Sequence, residues 1–299
     1  MKHVFIINPK AGPKNSMQNV VETLSLYKDK YDVEIFETKS TKHATIFVRN
    51  YAKSHPDEEV RFYSCGGDGT LNEVINGVAG FENASVCVYP CGSGNDFVKC
   101  IGSKCDYLDL AKLLESKNKK IDLLRINNSI YSINITNFGF DAHAAKIASN
   151  LTRKGKKNAY VKGVISSLFS AMHNRITVEV DGEILNENGR LLLGNCANGE
   201  YYGGNFKCAP NYAIDDGLIE VCMVKEVGLF TFLSFVKKYQ NGLHLTDKKI
   251  QKFIKYRRAK KVRVYSQKEF DLCVDGEIIS GKDFTIEILP LHINVGMIE

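Results

Sequence analysis

Glycines flanked by asparagine, aspartate and small hydroxyl residues recur in three short stretches of the first hundred residues. They are Asn8-Pro9-Lys10-Ala11-Gly12, Gly66-Gly67-Asp68-Gly69-Thr70 and Pro90-Cys91-Gly92-Ser93-Gly94-Asn95-Asp96-Phe97. Glycine lets backbone N–H groups approach a phosphate closely. Each stretch follows a short apolar run that reads as a strand, and loops at the carboxyl ends of parallel strands converge on one edge of a sheet. Behind the second loop, Leu71, Val74, Ile75 and Val78 fall at helical spacing. A helix starting at Thr70 would add the positive end of its dipole to the site. Tight turns would explain one such loop; three in consecutive strand–helix units predict a polyphosphate cradle. Asp68 reads equally as a helix N-cap, and the two roles are compatible. No GxxxxGK(S/T) loop and no GxGxxG fingerprint occurs, which argues against a P-loop enzyme and an ordinary dinucleotide-dependent dehydrogenase.

A second candidate for chemistry is a carboxylate beside a tight turn. The pentapeptide Val-Asp-Gly-Glu-Ile occurs twice, at 180–184 and 274–278. Asp-Gly between alternating segments is first of all a type I′ hairpin turn. The residues alone do not choose between Glu183 and Glu277.

The elements that must carry these loops follow from periodicity. Val4–Ile7, Val33–Thr38, Val60–Ser64 and Val86–Tyr89 read as strands, and the stripe Ala44, Phe47, Val48, Tyr51 as a helix between them. This βα alternation predicts a mostly parallel sheet with helices on both faces. After about residue 121 short alternating strands dominate: 121–126, 131–135, 176–180, 191–195, 218–224, 262–264, 270–274 and 284–289. Asn127-Asn128, Asp181-Gly182 and Asp275-Gly276 punctuate them as turns. Helices are predicted over 155–173 and 227–242. The expected fold class is therefore α/β: an N-terminal three-layer, Rossmann-like domain over 1–122, rejoined by 290–299, and a C-terminal antiparallel, β-sandwich-like domain over 123–289. A nucleotide site is expected in the cleft between them.

Composition narrows the classes further. Of the 299 residues 44% are hydrophobic and 25% charged, which is ordinary for a globular protein. Nine cysteines form no CxxC pair, so neither a disulfide framework nor a zinc site is expected, and reduced thiols predict a cytoplasmic location. No run approaches the length of a membrane span, so membrane contact is expected to be peripheral. The net charge is +6, yet nine basic residues and no acidic one lie between Lys248 and Arg263. Such a run reads either as attraction to an anionic surface or as a solvated helix and loop. The apolar stretches Gly228–Phe235 and Val161–Met172, with Lys154, Lys156 and Lys157 nearby, read either as a lipid-facing surface or as helices packed on the β-domain.

These motifs resemble the diacylglycerol kinase catalytic-domain family, in particular the soluble bacterial lipid kinases of YegS type. The stretches that carry the resemblance are Asn8-Pro9-x-Ala11-Gly12, Gly66-Gly67-Asp68-Gly69-Thr70-x-Asn72-Glu73 and Pro90-x-Gly92-Ser93-Gly94-Asn95-Asp96-Phe97. They continue with Gly139-Phe140-Asp141-Ala142, Ala209-Pro210, Asp215-Asp216-Gly217-Leu218, Asp275-Gly276-Glu277 and Phe284–Pro290. The resemblance spans essentially the whole chain in order. GGDGT alone is shared with NAD kinases and sphingolipid kinases; its company is more specific.

The resemblance implies transfer of the γ-phosphate of ATP to a lipid hydroxyl, with diacylglycerol as the expected acceptor. Another lipid, a soluble NAD kinase-like acceptor and a non-catalytic sensor stay open. It implies an ATP site lined by Asn8, Pro9, Lys10, Ala11, Gly12, Thr38, Gly66, Gly67, Asp68, Gly69, Thr70, Leu71, Asn72, Glu73, Gly92, Ser93, Asn95 and Asp96. Asp68 would help hold a catalytic Mg²⁺, and Glu277, with Asp275 beside it, would supply the general base. A second, structural Mg²⁺ would take the carbonyls of Ala213 and Leu218 and the Asp216 carboxylate. The implied partners are a membrane lipid and an anionic membrane surface; no nucleic acid is expected, and a homodimer is left open. Ser93 stands where many members have threonine. The chain departs from the family at Lys42-His43-Ala44, where Gly-His-Ala is common.

Overall fold

The structure is a computed structural model that describes residues 1–13, 16–153, 166–167 and 172–298. It divides into two compact units, Met1–Leu123 with Leu289–Glu299, and Leu124–Ile288.

The first unit alternates strand and helix: β1 (Lys2–Ile7), α1 (Ser16–Ser25), β2 (Val33–Glu37), α2 (His43–Ser54), β3 (Val60–Gly66), α3 (Asp68–Val78) and β4 (Ala84–Pro90). The strands are parallel in the order β2-β1-β3-β4. Asn294 and Val295, near the chain's end, add a further parallel strand beside β4. All seven residues of β3 are buried, as expected for a strand covered on both faces of a parallel sheet. Phe5 and Tyr63 stack at 4.1 Å in this core. Three short helices follow, α4 (Val98–Ile101), α5 (Lys104–Tyr107) and α6 (Leu110–Leu114). Their low apolar periodicity hides them in the sequence. What starts the last is chemical: Asp109 accepts from the amides of Ala111 and Lys112.

The second unit is antiparallel. β5 (Lys117–Ile126) enters it and pairs with β6 (Ile130–Ser132). β7 (Ile135–Gly139) lies between the strand Leu193–Ala197 and the strand Lys261–Val274. Beyond Leu193–Ala197 come Ile219–Val224 and then Ile254–Ala259. Lys261–Val274 is one long strand where the sequence predicts two, because it shifts register between Tyr265 and Phe270 rather than ending there. The three predicted turns carry left-handed φ at both central residues: 46° and 60° at Asn127-Asn128, 47° and 91° at Asp181-Gly182, 47° and 93° at Asp275-Gly276. That is the geometry of type I′ hairpins.

One long helix was also not expected. α7 runs Phe140–Arg153 directly off β7. Its buried face includes Ala142, Ala144 and Ala148, which add little apolar weight to a periodicity reading. The predicted helix over 155–173 falls mostly outside the described residues, as do Lys154, Lys156, Lys157 and most of Val161–Met172. The helix predicted over 227–242 is present as Leu229–Gln240. All nine cysteines are free.

α2 begins at an unusual residue. Lys42 precedes it with φ 66°, in the left-handed region. A side chain there costs roughly 1–2 kcal/mol against a right-handed conformation. The conformation persists because Glu73 on α3 receives the Lys42 amide at 2.8 Å and the Ala44 amide at 3.1 Å. Glycine fits this φ without strain but loses more backbone freedom on folding. Lys42→Gly is therefore expected to raise stability by about 0.5–1 kcal/mol, read as a higher urea midpoint with an unchanged slope.

Candidate active site

In the first unit, the three glycine loops follow β1, β3 and β4 and bond to one another. Asn8 anchors the first loop. Its amide donates to the Cys65 carbonyl at 3.0 Å, and its side-chain oxygen accepts from the Lys10 amide at 3.1 Å. The Asn8 side-chain amide donates to the Thr70 hydroxyl at 3.2 Å, which ties the first loop to the second. Thr38, at the end of β2, joins the same edge through its amide to the Ile7 carbonyl at 2.8 Å.

The second and third loops touch backbone to backbone. The amides of Cys91 and Gly92 donate to the Gly66 carbonyl at 2.8 and 3.2 Å. A Cβ on Gly92 would lie 2.5 Å from the Gly67 Cα, so no side chain fits there. The closest tie is Asp68. Its two carboxylate oxygens accept from the amides of Asn95 at 2.8 Å and Asp96 at 2.7 Å. Asn95 is held left-handed at φ 50°, with its side chain bonded both ways to Gly92. Asp96 in turn accepts from Lys99 at 2.7 Å.

α3 starts at Asp68, two residues before the expected Thr70. Gly67 is its N-cap and no side chain caps it, so Asp68 is not the cap; its carboxylate reaches the third loop instead. The first-turn amides of a helix lack intrahelical partners and are suited to an anion. Leu71 and Asn72 are buried on α3, while Pro9, Lys10, Gly12 and Ser93 are exposed. Gly69 lies in the first turn. Ala11 closes the first loop by donating to the Asn8 carbonyl at 3.0 Å. Glu73 does not join this group, since its carboxylate caps α2.

In the second unit, Asp275 is a hub. One oxygen accepts from the Ser132 hydroxyl at 2.7 Å and from the amides of Asn134 and Ile135 at 3.2 and 3.0 Å; the other accepts from Ile133 at 3.0 Å. This explains why the predicted strand 131–135 breaks at 133–134: its amides turn toward a carboxylate instead of a neighbouring strand. Glu277 opens the strand Glu277–Met297 just beyond the turn and is exposed. In the twin pentapeptide Asp181 takes the amides of Lys260 and Lys261, and Glu183 is likewise exposed. The geometry makes Asp275 a residue that fixes the turn carrying Glu277.

The resemblance missed Asp141 as a special group. It lies in the first turn of α7 and accepts from the Tyr202 hydroxyl. Burial raises its carboxyl pKa to about 6, and the tyrosine bond opposes that rise. The signal was present in Gly139-Phe140-Asp141-Ala142, an acidic residue inside an otherwise apolar motif.

Metal sites fit unequally. Mg²⁺ in a nucleotide site needs only one or two carboxylates, since phosphates and waters supply the rest. Asp68, which lies among the glycine loops, fits that share. Asp216 does not: one oxygen accepts from the Leu218 amide at 3.0 Å and the other from Arg258. Arg258 also bonds Glu220 at 2.7 Å, whose pKa burial raises against the opposing pull of Tyr256 and Arg258. A guanidinium thus balances the carboxylate assigned to a structural ion with Ala213 and Leu218. Among the described residues no group of three or more His, Cys, Asp or Glu is placed to hold a metal.

Comparison with known proteins agrees with these features. Residues 2–126 match the family model for the diacylglycerol kinase catalytic domain, and residues 134–297 that for the YegS C-terminal NAD kinase beta sandwich-like domain. The chain is 29% identical to the diacylglycerol kinase of Bacillus subtilis (strain 168) over 287 residues, covering 93% of this chain and 90% of that one. It is 27% identical to the diacylglycerol kinase of Staphylococcus carnosus (strain TM300) over 297 residues, covering 97% and 93%. The fold is similar to the crystal structure of a diacylglycerol kinase from Bacillus anthracis str. Sterne, with TM-score 0.73 at 22% identity over 99% of this chain and 96% of that one.

Two measurements check the second unit. Asp275→Ala leaves three buried amides and a hydroxyl without their acceptor, and should cost at least about 3 kcal/mol in urea unfolding; Asp181→Ala should cost less. Asp141 predicts a pH dependence of stability. A carboxyl with a raised folded pKa binds its proton more tightly when folded. Stability should therefore fall as pH rises from about 4 through about 6, by on the order of 2 kcal/mol. Asp141→Asn should flatten that slope.

Proposed function

This chain belongs to the diacylglycerol kinase catalytic-domain family, and on that premise we propose that it transfers the γ-phosphate of ATP to a hydroxyl of diacylglycerol, giving phosphatidic acid. The family makes it an ATP-dependent lipid kinase. The observation that carries the donor side is the tie between Asp68 and the amides of Asn95 and Asp96, which sets the glycine loops around the start of α3.

Phosphoryl transfer asks little covalent chemistry of a protein; it needs positioning and charge neutralisation. The first-turn amides of α3 and the first glycine loop bind the phosphates, and the Asn8–Thr70 bond keeps those loops together. Asp68 would hold Mg²⁺, and the metal would supply neutralisation of charge on the phosphates. Glu277 accepts the proton of the lipid hydroxyl as that oxygen bonds the γ-phosphorus and the bond to the β-phosphate oxygen breaks, releasing ADP. Asp275 acts through position, holding the turn against residues 132–135. Asp216 is given no step.

A lipid acceptor brings this kinase to a membrane. Among the described residues no helix is long and apolar enough to cross one, so we propose peripheral contact with the bilayer surface.

The direct test is γ-labelled ATP with a total lipid extract and identification of the labelled product. Phosphatidic acid supports the reading, and a different phosphorylated lipid redirects it. Glu277→Gln should lower turnover by about 10²–10⁴-fold and leave ATP affinity within about twofold, because a general base acts in the transition state. Near-normal turnover would move the role away from Glu277, and Glu183 would be the next residue to replace.

A further inference from the structure

Arg258 meets the one carboxylate in the second unit to which the family resemblance assigns a structural ion. That carboxylate is Asp216, with the carbonyls of Ala213 and Leu218 as the other implied ligands. Arg258 is delivered there by the sheet. It lies on the strand Ile254–Ala259 and pairs in register with Glu220 on the strand Ile219–Val224. Tyr256, two residues earlier on the same strand, points to the same face. Glu220 is 2% exposed. One of its oxygens accepts from Arg258 Nε at 2.7 Å and the other from the Tyr256 hydroxyl. Arg258 Nη2 donates to one Asp216 oxygen, and the other Asp216 oxygen takes the Leu218 amide at 3.0 Å. All four carboxylate oxygens thus have a donor.

An ion and a guanidinium compete for these oxygens. Mg²⁺ on Asp216 would either displace the Arg258 bond or sit beside a like charge, and like charges a few ångström apart repel strongly where water is scarce. Moving Arg258 away would also leave the buried Glu220 without its cation, and a buried carboxylate that loses its partner destabilises the fold. A structural ion here would neutralise Asp216 and fix the turn through Gly217, whose φ is 72°, where the chain enters the strand Ile219–Val224. Arg258 does both. Its planar fork spans two carboxylates at once, which a single ammonium does less well. It also ties the turn to a third segment, the strand Ile254–Ala259.

We propose that the Arg258 guanidinium is this chain's built-in replacement for a structural divalent cation, latching the Asp216 turn so that the second unit folds without one. This departs from what the resemblance implies, and it is independent of which lipid accepts the phosphate. Folding of the second unit is then uncoupled from the level of free Mg²⁺.

The test is thermal unfolding of the full chain, free of nucleotide, in EDTA and in excess Mg²⁺. The wild type should melt at the same temperature in both. Arg258→Met keeps the apolar stem of the side chain and removes the fork. In EDTA it should melt lower by roughly 4 °C or more, since Asp216 and Glu220 lose their cation. Excess Mg²⁺ should recover much of that loss, because carboxylates completed by waters suit this ion. Calorimetric titration should then show Mg²⁺ binding to Arg258→Met that the double variant Arg258→Met with Asp216→Asn lacks. A wild type that EDTA destabilises, and that no longer responds once Asp216→Asn is made, would overturn the proposal; that comparison needs no Arg258 variant to fold. So would Arg258→Met melting as the wild type does in EDTA, or staying equally low in Mg²⁺. A wild-type response that persists in Asp216→Asn comes from another site and leaves the proposal standing. None of these arms uses a lipid, so their outcome is read separately from that of the kinase reaction.

Discussion

Two backbone amides on one carboxylate organise the donor half of this protein. Asp68 could have served as an ordinary acidic residue in the first turn of a helix, where it would gain a few tenths of a kcal/mol to about 1 kcal/mol from the dipole. It instead accepts from Asn95 and Asp96. Hydrogen bonds to a charged acceptor contribute about 1.5–3 kcal/mol each. Those bonds require the third loop to lie against the second, and that approach is closed to any side chain at Gly92. The amides of Asn95 and Asp96 are thereby committed inside the protein. The start of α3 is in turn tied to the first loop, which Asn8 fastens to Thr70. The third loop thus braces the second.

The second unit uses the same device in a different setting. Asp275 and Asp181 each sit at the first central position of a type I′ turn and collect amides from another segment. A short carboxylate at a left-handed position can both tolerate the φ and satisfy donors that a strand would otherwise leave unpaired. The two turns differ in their grip. Asp275 takes four donors from the consecutive residues 132–135, all of them buried, whereas Asp181 takes two at the start of a strand. Identical pentapeptides therefore hold their glutamates with unequal firmness. Firm placement is what a general base needs if its geometry is to be kept between turnovers.

Periodicity made the βα alternation legible, and Asp-Gly and Asn-Asn made the hairpins legible, because those signals are local. What stayed hidden depends on partners distant in sequence. Nothing around Lys42 announces a left-handed residue; the reason lies on α3, in the Glu73 carboxylate that receives two α2 amides. The same contact engages the Glu73 carboxylate at the start of α2 rather than in the glycine loops. The break at 133–134 is likewise written at residue 275. α7 was missed for a local reason, an alanine-rich face of low apolar contrast. At Asp216 the implied ion meets a guanidinium from residue 258, which no spacing rule would bring there.

The basic run from Lys248 to Arg263 shows how a linear charge count changes meaning in three dimensions. Three residues of its second half, on two strands, meet carboxylates. Arg258 bonds Glu220 and Asp216, Lys261 pairs with Glu287 at 3.1 Å, and Arg263 with Asp283 at 2.5 Å. Those residues are neutralised within the unit and offer little net field outward. Exposed pairs of this kind contribute little stability, so their effect is mainly to define where positive charge is not available. The first half, on a short helix and the turn before the strands, finds no such partners among the described residues. Among the described residues Lys248, Lys249, Lys252, Lys255, Arg257 and Lys260 are exposed and have no carboxylate partner. A sequence that reads as one uniform charge run resolves into three residues neutralised by carboxylates and six exposed ones that are not.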